Sequence, residues 1–176
     1  MTFVVRQLDA GDLASYRDIR LEALREHPEA FGASYEAVAA RDEDYFAKAI
    51  GRFAIFGAFA AQGGRQTGLA AFARHEGAKL MHRGDLIQMY VRPEGRGSGC
   101  GLALIEAIVA HAKPLVAQLH LGVATNNEPA IQLYKRAGFH IYGTEPRSLY
   151  VDGRYIDEHL MVRFLDKAPG KKNDNA

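Results

Sequence analysis

Glycines stand at positions 95, 97, 99 and 101, in the run GRGSGCG, and no acidic residue follows until Glu106. Glycines spaced in this way carry no Cβ atoms to keep a ligand off the backbone, and they let the chain turn several N–H groups to one side. Residues 86–91, LIQMYV, are β-forming, Pro93 follows them, and Leu102, Ile105, Ile108 and Val109 come after the glycines with helical spacing. The order strand, loop, helix adds the unpaired first-turn amides of a helix and the positive end of its dipole to the donors of the loop. The chemistry on offer is the binding of an anion, and a phosphate in particular.

Spacing decides which phosphate compound. A P-loop needs Lys and then Ser or Thr after its last glycine, whereas Leu102 and Ala103 follow Gly101. A dinucleotide fingerprint needs glycines at i, i+2 and i+5, and from Gly95, Gly97 or Gly99 the third place holds Cys100, Leu102 or Leu104. Arg96, Gly99 and Gly101 do fit the Arg/Gln-x-x-Gly-x-Gly/Ala signature, and the chain here resembles the GNAT N-acetyltransferase superfamily. A second segment, NEPAIQLYKRAGF over residues 127–139, resembles the same family's Asn-x-x-Ala, Leu-Tyr and Gly-Phe pattern. The two motifs come in the family's order with one strand between them.

The resemblance implies specific roles. The loop of Arg96, Gly97, Ser98, Gly99, Cys100, Gly101 and Leu102 would hold the pyrophosphate of acetyl-coenzyme A, mainly through N–H groups, so that the Arg96 side chain is free to pack elsewhere. Met89, Tyr90 and Val91 would pair with the pantetheine arm and present an N–H to the thioester oxygen, a contact worth roughly 2.7–4 kcal/mol of barrier. Asn127 is a natural helix cap, and by resemblance it also contacts pantetheine. Tyr134 lies two turns along the same helical face, and the family uses Tyr there to protonate the thiolate that leaves. Phe31 and Tyr35 are either core aromatics in a helix connection or, by resemblance, a wall of the acceptor site.

Other residues invite chemistry that the spacing does not support. Cys100 sits where a helix N-terminus would lower a thiol pKa, yet by resemblance this loop faces the pyrophosphate, remote from the thioester. The His residues show no HExxH or similar spacing, so no metal is implied. An amine acceptor with an ordinary pKa of about 10.4 is neutral only about once in 2,500 molecules at pH 7, and a base should help it. Asp85, Glu29, Glu36, His82, Asp157 and Glu158 are all of the right type.

The elements that must position these residues follow from periodicity. Residues 3–8 read as a strand, and Asp9 with Asp12 resembles a capping box for a helix whose apolar face is Leu13, Tyr16, Ile19, Ala23 and Leu24 and which Pro28 stops. Tyr45, Phe46 and Ile50 suggest a second helix. Residues 53–61 and 67–75 read as a hairpin turning at 62–65, with 75–83 as loop. The central helix ends by Pro114, residues 119–124 form a strand parallel to 86–91, and a helix over 127–137 is capped by Gly138. Phe139 restarts a strand, and 147–151 with 155–164 close a hairpin around Asp152 and Gly153.

A chain of 176 residues, 48% hydrophobic and 24% charged, is the size of one compact domain. The resemblance places that α/β domain at residues 1–166, with a central mixed, mostly antiparallel sheet of about seven strands, a splayed parallel pair and flanking helices. Residues 167–176 are polar and aperiodic, and are expected to be disordered. A formal net charge of +1 gives no electrostatic footprint for nucleic acid, and residues 53–61 are far too short to span a bilayer. One cysteine and an N-terminus without a signal-peptide pattern point to a cytoplasmic protein. The expected activity is direct transfer of acetyl from acetyl-coenzyme A to a primary amine in a ternary complex. A non-catalytic acyl-coenzyme A sensor, a different acyl donor and a homodimer remain open alternatives.

Overall fold

The computed structural model describes residues 3–61 and 64–166. Residues 62 and 63 of the first hairpin turn, and the stretch 167–176 expected to be disordered, lie outside the described residues. Seven strands form one sheet: β1 (Phe3–Gln7), β2 (Ala54–Ala60), β3 (Gln66–Arg74), β4 (Arg83–Val91), β5 (Gln118–Ala124), β6 (His140–Val151) and β7 (Arg154–Phe164). Their spatial order is β1-β2-β3-β4-β5-β7-β6, and every pairing is antiparallel except β4 with β5. The parallel pair is joined through a helix, as a crossover connection requires.

Helices cover both faces: α1 (Leu13–Glu26), α2 (Tyr35–Ala39), α3 (Glu43–Arg52), α4 (Cys100–Ala112) and α5 (Glu128–Arg136). Under α4 and α5 lies a core of Leu104, Ile105, Ile108, Leu119, Leu121 and Met161. On the other face Tyr16, Ile19, Leu24, Phe46, Ile55 and Leu69 form a second core under α1 and α3. Each buried aliphatic or aromatic side chain contributes roughly 1.5–3 kcal/mol by leaving water.

Local chemistry fixes where the elements begin and end. Asp9 accepts from the Gly11 amide and Asp12 accepts from the Asp9 amide, the reciprocal box read from the sequence, although it opens a 3-10 turn (Ala10–Asp12) that runs into α1. Gly138 ends α5 with φ 81°, a left-handed conformation that costs glycine little. Arg163 on β7 donates to Glu106 on α4 at 3.0 Å and to the carbonyl of Ala137 at 2.6 Å, tying both helices to the sheet.

Several expectations change. β4 starts at Arg83 rather than residue 86, because the polar residues Arg83 and Asp85 pair with β3 and β5 at its buried root. The connection after α1 contains its own short helix, α2, capped by Ser34. Residues 140–151 form one continuous strand, kinked by irregular pairing around Tyr142 and between Glu145 and Leu149. Leu102 belongs to the exposed side of α4, at 38% relative exposure, and its place on the apolar face is taken by Leu104.

Candidate active site

β4 and β5 hold each other only at their roots, where Arg83, Gly84 and Asp85 lie beside Gln118, Leu119 and His120. From there they diverge: β4 continues along β3 to Val91, and β5 continues along β7 to Ala124. The divergence leaves a cleft in the middle of the sheet, with strand edges on both sides free to pair with an extended ligand. At the widening point β4 also bulges. Tyr90 lies opposite Leu69 and Ile87 opposite Ala71, so Gln88 and Met89 together face Ala70, and Gln88 adopts φ 56°. The Tyr16 hydroxyl holds the bulge by donating to Gln88 Oε1 at 3.0 Å.

The glycine loop closes one end of this cleft. A short 3-10 turn (Pro93–Gly95) is completed by the Gly95 and Arg96 amides donating to Arg92 and Pro93. The following amides, from Gly97 through Leu102, meet no protein acceptor among the described residues. Gly97 and Gly99 have φ 70° and 86°, and a Cβ built at either would meet nothing within 4 Å. Their freedom serves open space beside the backbone. The other two glycines serve packing, since a Cβ on Gly95 would lie 3.0 Å from Val91 and one on Gly101 2.9 Å from Leu133. The loop thus presents unpaired donors and the N-terminus of α4 to a region that holds no side chain, which fits a pyrophosphate.

The side chains of the loop turn away from that region. Arg96 folds back, its Nε donating to the Val91 carbonyl at 2.9 Å and its Nη2 lying 3.1 Å from His27 Nε2. Ser98 Oγ donates to the Gly95 carbonyl at 2.7 Å. Cys100 is buried against the core, and burial pushes its thiol pKa up despite a hydrogen bond with Thr67. The lowering expected from the helix terminus is overridden by desolvation.

Asn127 caps α5 and Tyr134 lies two turns further along it. Asn127 Oδ1 accepts from the Ala130 amide at 3.3 Å, so the capping role is filled, and its amide NH2 has no protein partner among the described residues. Tyr134 is buried, packs edge-on to Phe139 at 6.1 Å, and its hydroxyl makes no protein hydrogen bond among the described residues. Burial pushes the Tyr134 pKa up, which keeps the phenol protonated. Met89 and Leu133 both come within 3.4 Å of where a Cβ on Gly101 would stand, so β4, α4 and α5 converge beneath the loop. Tyr90 faces the opposite side of the sheet, with its hydroxyl 3.1 Å from Glu22 and 2.9 Å from Glu26, and only its backbone is turned to the cleft edges.

On that opposite side the chain after α1 roofs the cleft. The 3-10 turn Pro28–Ala30 touches β5 and β6, and half-buried Phe31 and Tyr35 pack against the α1 core. The residues proposed as bases separate. Asp85 Oδ2 lies 2.8 Å from His75 Nε2 and accepts a hydrogen bond when that nitrogen carries the ring proton, and Glu29 lies 3.2 Å from His27. Asp157 accepts from the Arg147 amide, while Glu36 and His82 are exposed. Glu158, on β7, pairs in register with Ala124 across the edge of β5 that faces away from β4, receives a hydrogen bond from Ser148 at 2.5 Å, and reaches over β5 to within 3.4 Å of where a Gly122 Cβ would stand.

Periodicity missed the charged cluster that anchors the end of β4. Arg92 is 2% exposed and donates to Glu22, to Asp18 at 2.7 Å and to the Gln66 carbonyl at 2.6 Å. Burial pulls its pKa down, but the bonds to Glu22 and Asp18 outweigh burial and hold it above its ordinary value. The sequence signal was acidic residues at positions 18, 22 and 26, one helical turn apart on α1. No group of three or more His, Cys, Asp or Glu side chains is placed to hold a metal among the described residues, and no described helix is long and apolar enough to cross a membrane.

A sheet split at a parallel pair, with a bare donor loop at one end, defines an acyl-coenzyme A-type fold. Residues 16–139, more than half of the chain, match the model of the Acetyltransferase (GNAT) family, and the chain belongs to that family. It is 36% identical over 81 residues to the L-methionine sulfoximine/L-methionine sulfone acetyltransferase of Pseudomonas paraeruginosa, covering 44% of this chain and 46% of the relative. It is 29% identical over 89 residues to the spermidine N(1)-acetyltransferase of Vibrio cholerae, covering 49% and 51%. The matches thus span about half the length of these relatives. The fold is shared with YncA of Salmonella typhimurium, solved with its cofactor acetyl-CoA, at TM-score 0.82 and 20% identity over 98% of this chain and 99% of that one. A GNAT-family acetyltransferase of Streptococcus pneumoniae superposes with TM-score 0.81 at 22% identity, over 93% and 99%.

Proposed function

We propose that this protein transfers an acetyl group from acetyl-coenzyme A directly to the primary amine of a small acceptor. The observation that carries the reading is the run of unpaired amides from Gly97 to Leu102 beside open space, at the end of a split between β4 and β5. Acetyl-coenzyme A supplies an activated acetyl thioester. The chain's own part is to bind its pyrophosphate at the loop, to seat its extended arm on the free edge of residues 86–91 and the Asn127 amide, and to offer a backbone N–H near Met89 to the acyl oxygen.

Two side chains move protons in this reading. Tyr134, protonated and without a protein partner, donates to the departing sulfur. Glu158, on β7 with its carboxylate reaching over β5 at Gly122 and hydrogen-bonded to Ser148, takes the proton of the amine through water. The acceptor enters beneath Phe31 and Tyr35. Relatives that acetylate methionine sulfoximine and spermidine support a small amine. The test is a panel of amino acids, polyamines and peptide N-termini with acetyl-coenzyme A, reading released coenzyme A. At least one acceptor should turn over, and Glu158→Gln should slow it most at neutral pH; a panel with no acceptor-dependent release contradicts the proposal.

A further inference from the structure

Arg20 is only 8% exposed, yet its Nη1 is fully buried and donates to nothing among the described residues. Among the described residues no carboxylate serves it. The acidic residues Asp18 and Glu22 lie on another flank of α1 and are taken by Arg92. Around Arg20 stand aromatic rings: its guanidinium lies 4.9 Å from the centre of the Phe31 ring, and the neutral phenols of Tyr16 and Tyr45 are also beside it. Burial accordingly pulls its pKa down. An arginine removed from water without an anion is costly, because neither its charge nor its donors are compensated.

The position explains what could compensate it. Arg20 sits one turn along α1 from Tyr16, whose hydroxyl holds the β4 bulge at Gln88, and it stacks on Phe31 in the roof of the cleft, on the face opposite α4 and α5. The guanidinium therefore adjoins the route by which an acceptor reaches the bulge. A planar fork of donors in an apolar, aromatic setting suits a carboxylate, which it can bind through two parallel hydrogen bonds.

We propose that Arg20 binds the carboxylate of the acceptor, so that the substrates of this protein are amino acids or other amines that carry a carboxylate. The proposal rests on the acetyl-transfer reading for its chemistry, but the arginine can be tested apart from it. Wild-type protein and Arg20→Met are compared on L-amino acids and on the matching amides, which keep the amine and lose the charge. Wild type should favour the acids in kcat/KM by about 100-fold or more, and Arg20→Met should erase the preference through KM while leaving coenzyme A affinity unchanged. Because the arginine is unpaired in the free protein, the Tm of Arg20→Met should equal or exceed that of wild type.

Equal use of acids and amides, or a preference that survives in Arg20→Met, overturns the proposal. A Tm lowered by several degrees does the same, since Arg20 would then be structural. If coenzyme A binds but nothing is acetylated, or if coenzyme A does not bind and the acetyl-transfer reading itself fails, calorimetric titration with N-acetyl-L-amino acids decides. Binding that is lost in Arg20→Met supports the site, and binding that is absent or unchanged removes it.

Discussion

The Tyr16 hydroxyl donates to Gln88 Oε1 at 3.0 Å, linking the first helix to the one residue of β4 that adopts a left-handed conformation, φ 56°. A non-glycine residue in that region stores backbone strain of order 1–3 kcal/mol, which the surroundings must hold in place. The bond is one of the restraints that keep the bulge, and the proposed reaction uses the N–H near Met89 that the bulge carries. Tyr16→Phe preserves the ring contact with Phe46 and removes only this bond. Turnover should fall severalfold while stability drops by about 0.5–1.5 kcal/mol. Steady-state kinetics beside urea unfolding checks it, and unaltered turnover would detach the bulge from catalysis.

Tyr134→Phe keeps the edge-on contact with Phe139 and removes the hydroxyl proposed as proton donor. Turnover should fall at least about tenfold, less than the full ~10²–10⁴ of a positioned acid where other steps share the rate, with little change in coenzyme A affinity. Because burial raises the Tyr134 pKa above its ordinary value near 10, the phenol stays protonated throughout the neutral range. A pH–rate profile should therefore show no falling limb from Tyr134 below about pH 10. A limb that falls near pH 8 and disappears in Tyr134→Phe would contradict this.

The Arg92 cluster makes a prediction about stability and pH. Burial alone would raise the Glu22 pKa, but the Arg92 bonds win and hold it below the ordinary carboxylate value. A lowered folded-state pKa contributes stability that is full above the unfolded value, about pH 4.3, and is lost as pH falls through the folded value. Arg92→Met should cost about 3–5 kcal/mol at pH 7, since it leaves Glu22 and Asp18 without their guanidinium, and should flatten the acid limb of the stability profile. Denaturant unfolding of both proteins between pH 3 and pH 7 measures it.

Tyr35 stands at the start of α2, half-buried beside the roof of the cleft. Tyr35→Ala should raise the KM for the acceptor severalfold and leave coenzyme A binding alone. Loss of about 3–5 kcal/mol with acceptor kinetics unchanged would make Tyr35 a core aromatic only.

The elements were legible where one force dominated. Leu104 apart, the apolar spacing of α4, the Asp9–Asp12 box and the Gly138 cap could all be read locally, because each depends on residues within a turn or two of one another. The bulge at Gln88 could not, since it arises from the mismatch between β4 and β3 and is held by a tyrosine far away in sequence. Arg92 and Arg20 show the same limit from opposite sides. Both are buried guanidiniums, and only the fold reveals that one meets carboxylates and the other, among the described residues, none. The division of labour among the loop glycines was likewise hidden: Gly101 accommodates Leu133 from another helix, whereas Gly97 and Gly99 border open space.

The central claim is that the loop from Gly97 to Leu102 binds the pyrophosphate of acetyl-coenzyme A, and Gly99→Val tests it most directly. A Cβ there meets no protein atom within 4 Å, so a valine would fill the space beside the unpaired amides, and the φ of 86° adds strain of order 1–3 kcal/mol. Calorimetric titration with acetyl-coenzyme A should show one site per chain in wild type and a dissociation constant raised by about 30-fold or more in Gly99→Val, an effect of about 2 kcal/mol, with circular dichroism unchanged. A folded Gly99→Val protein that binds acetyl-coenzyme A as tightly as wild type, or a wild type that does not bind it, would contradict the account.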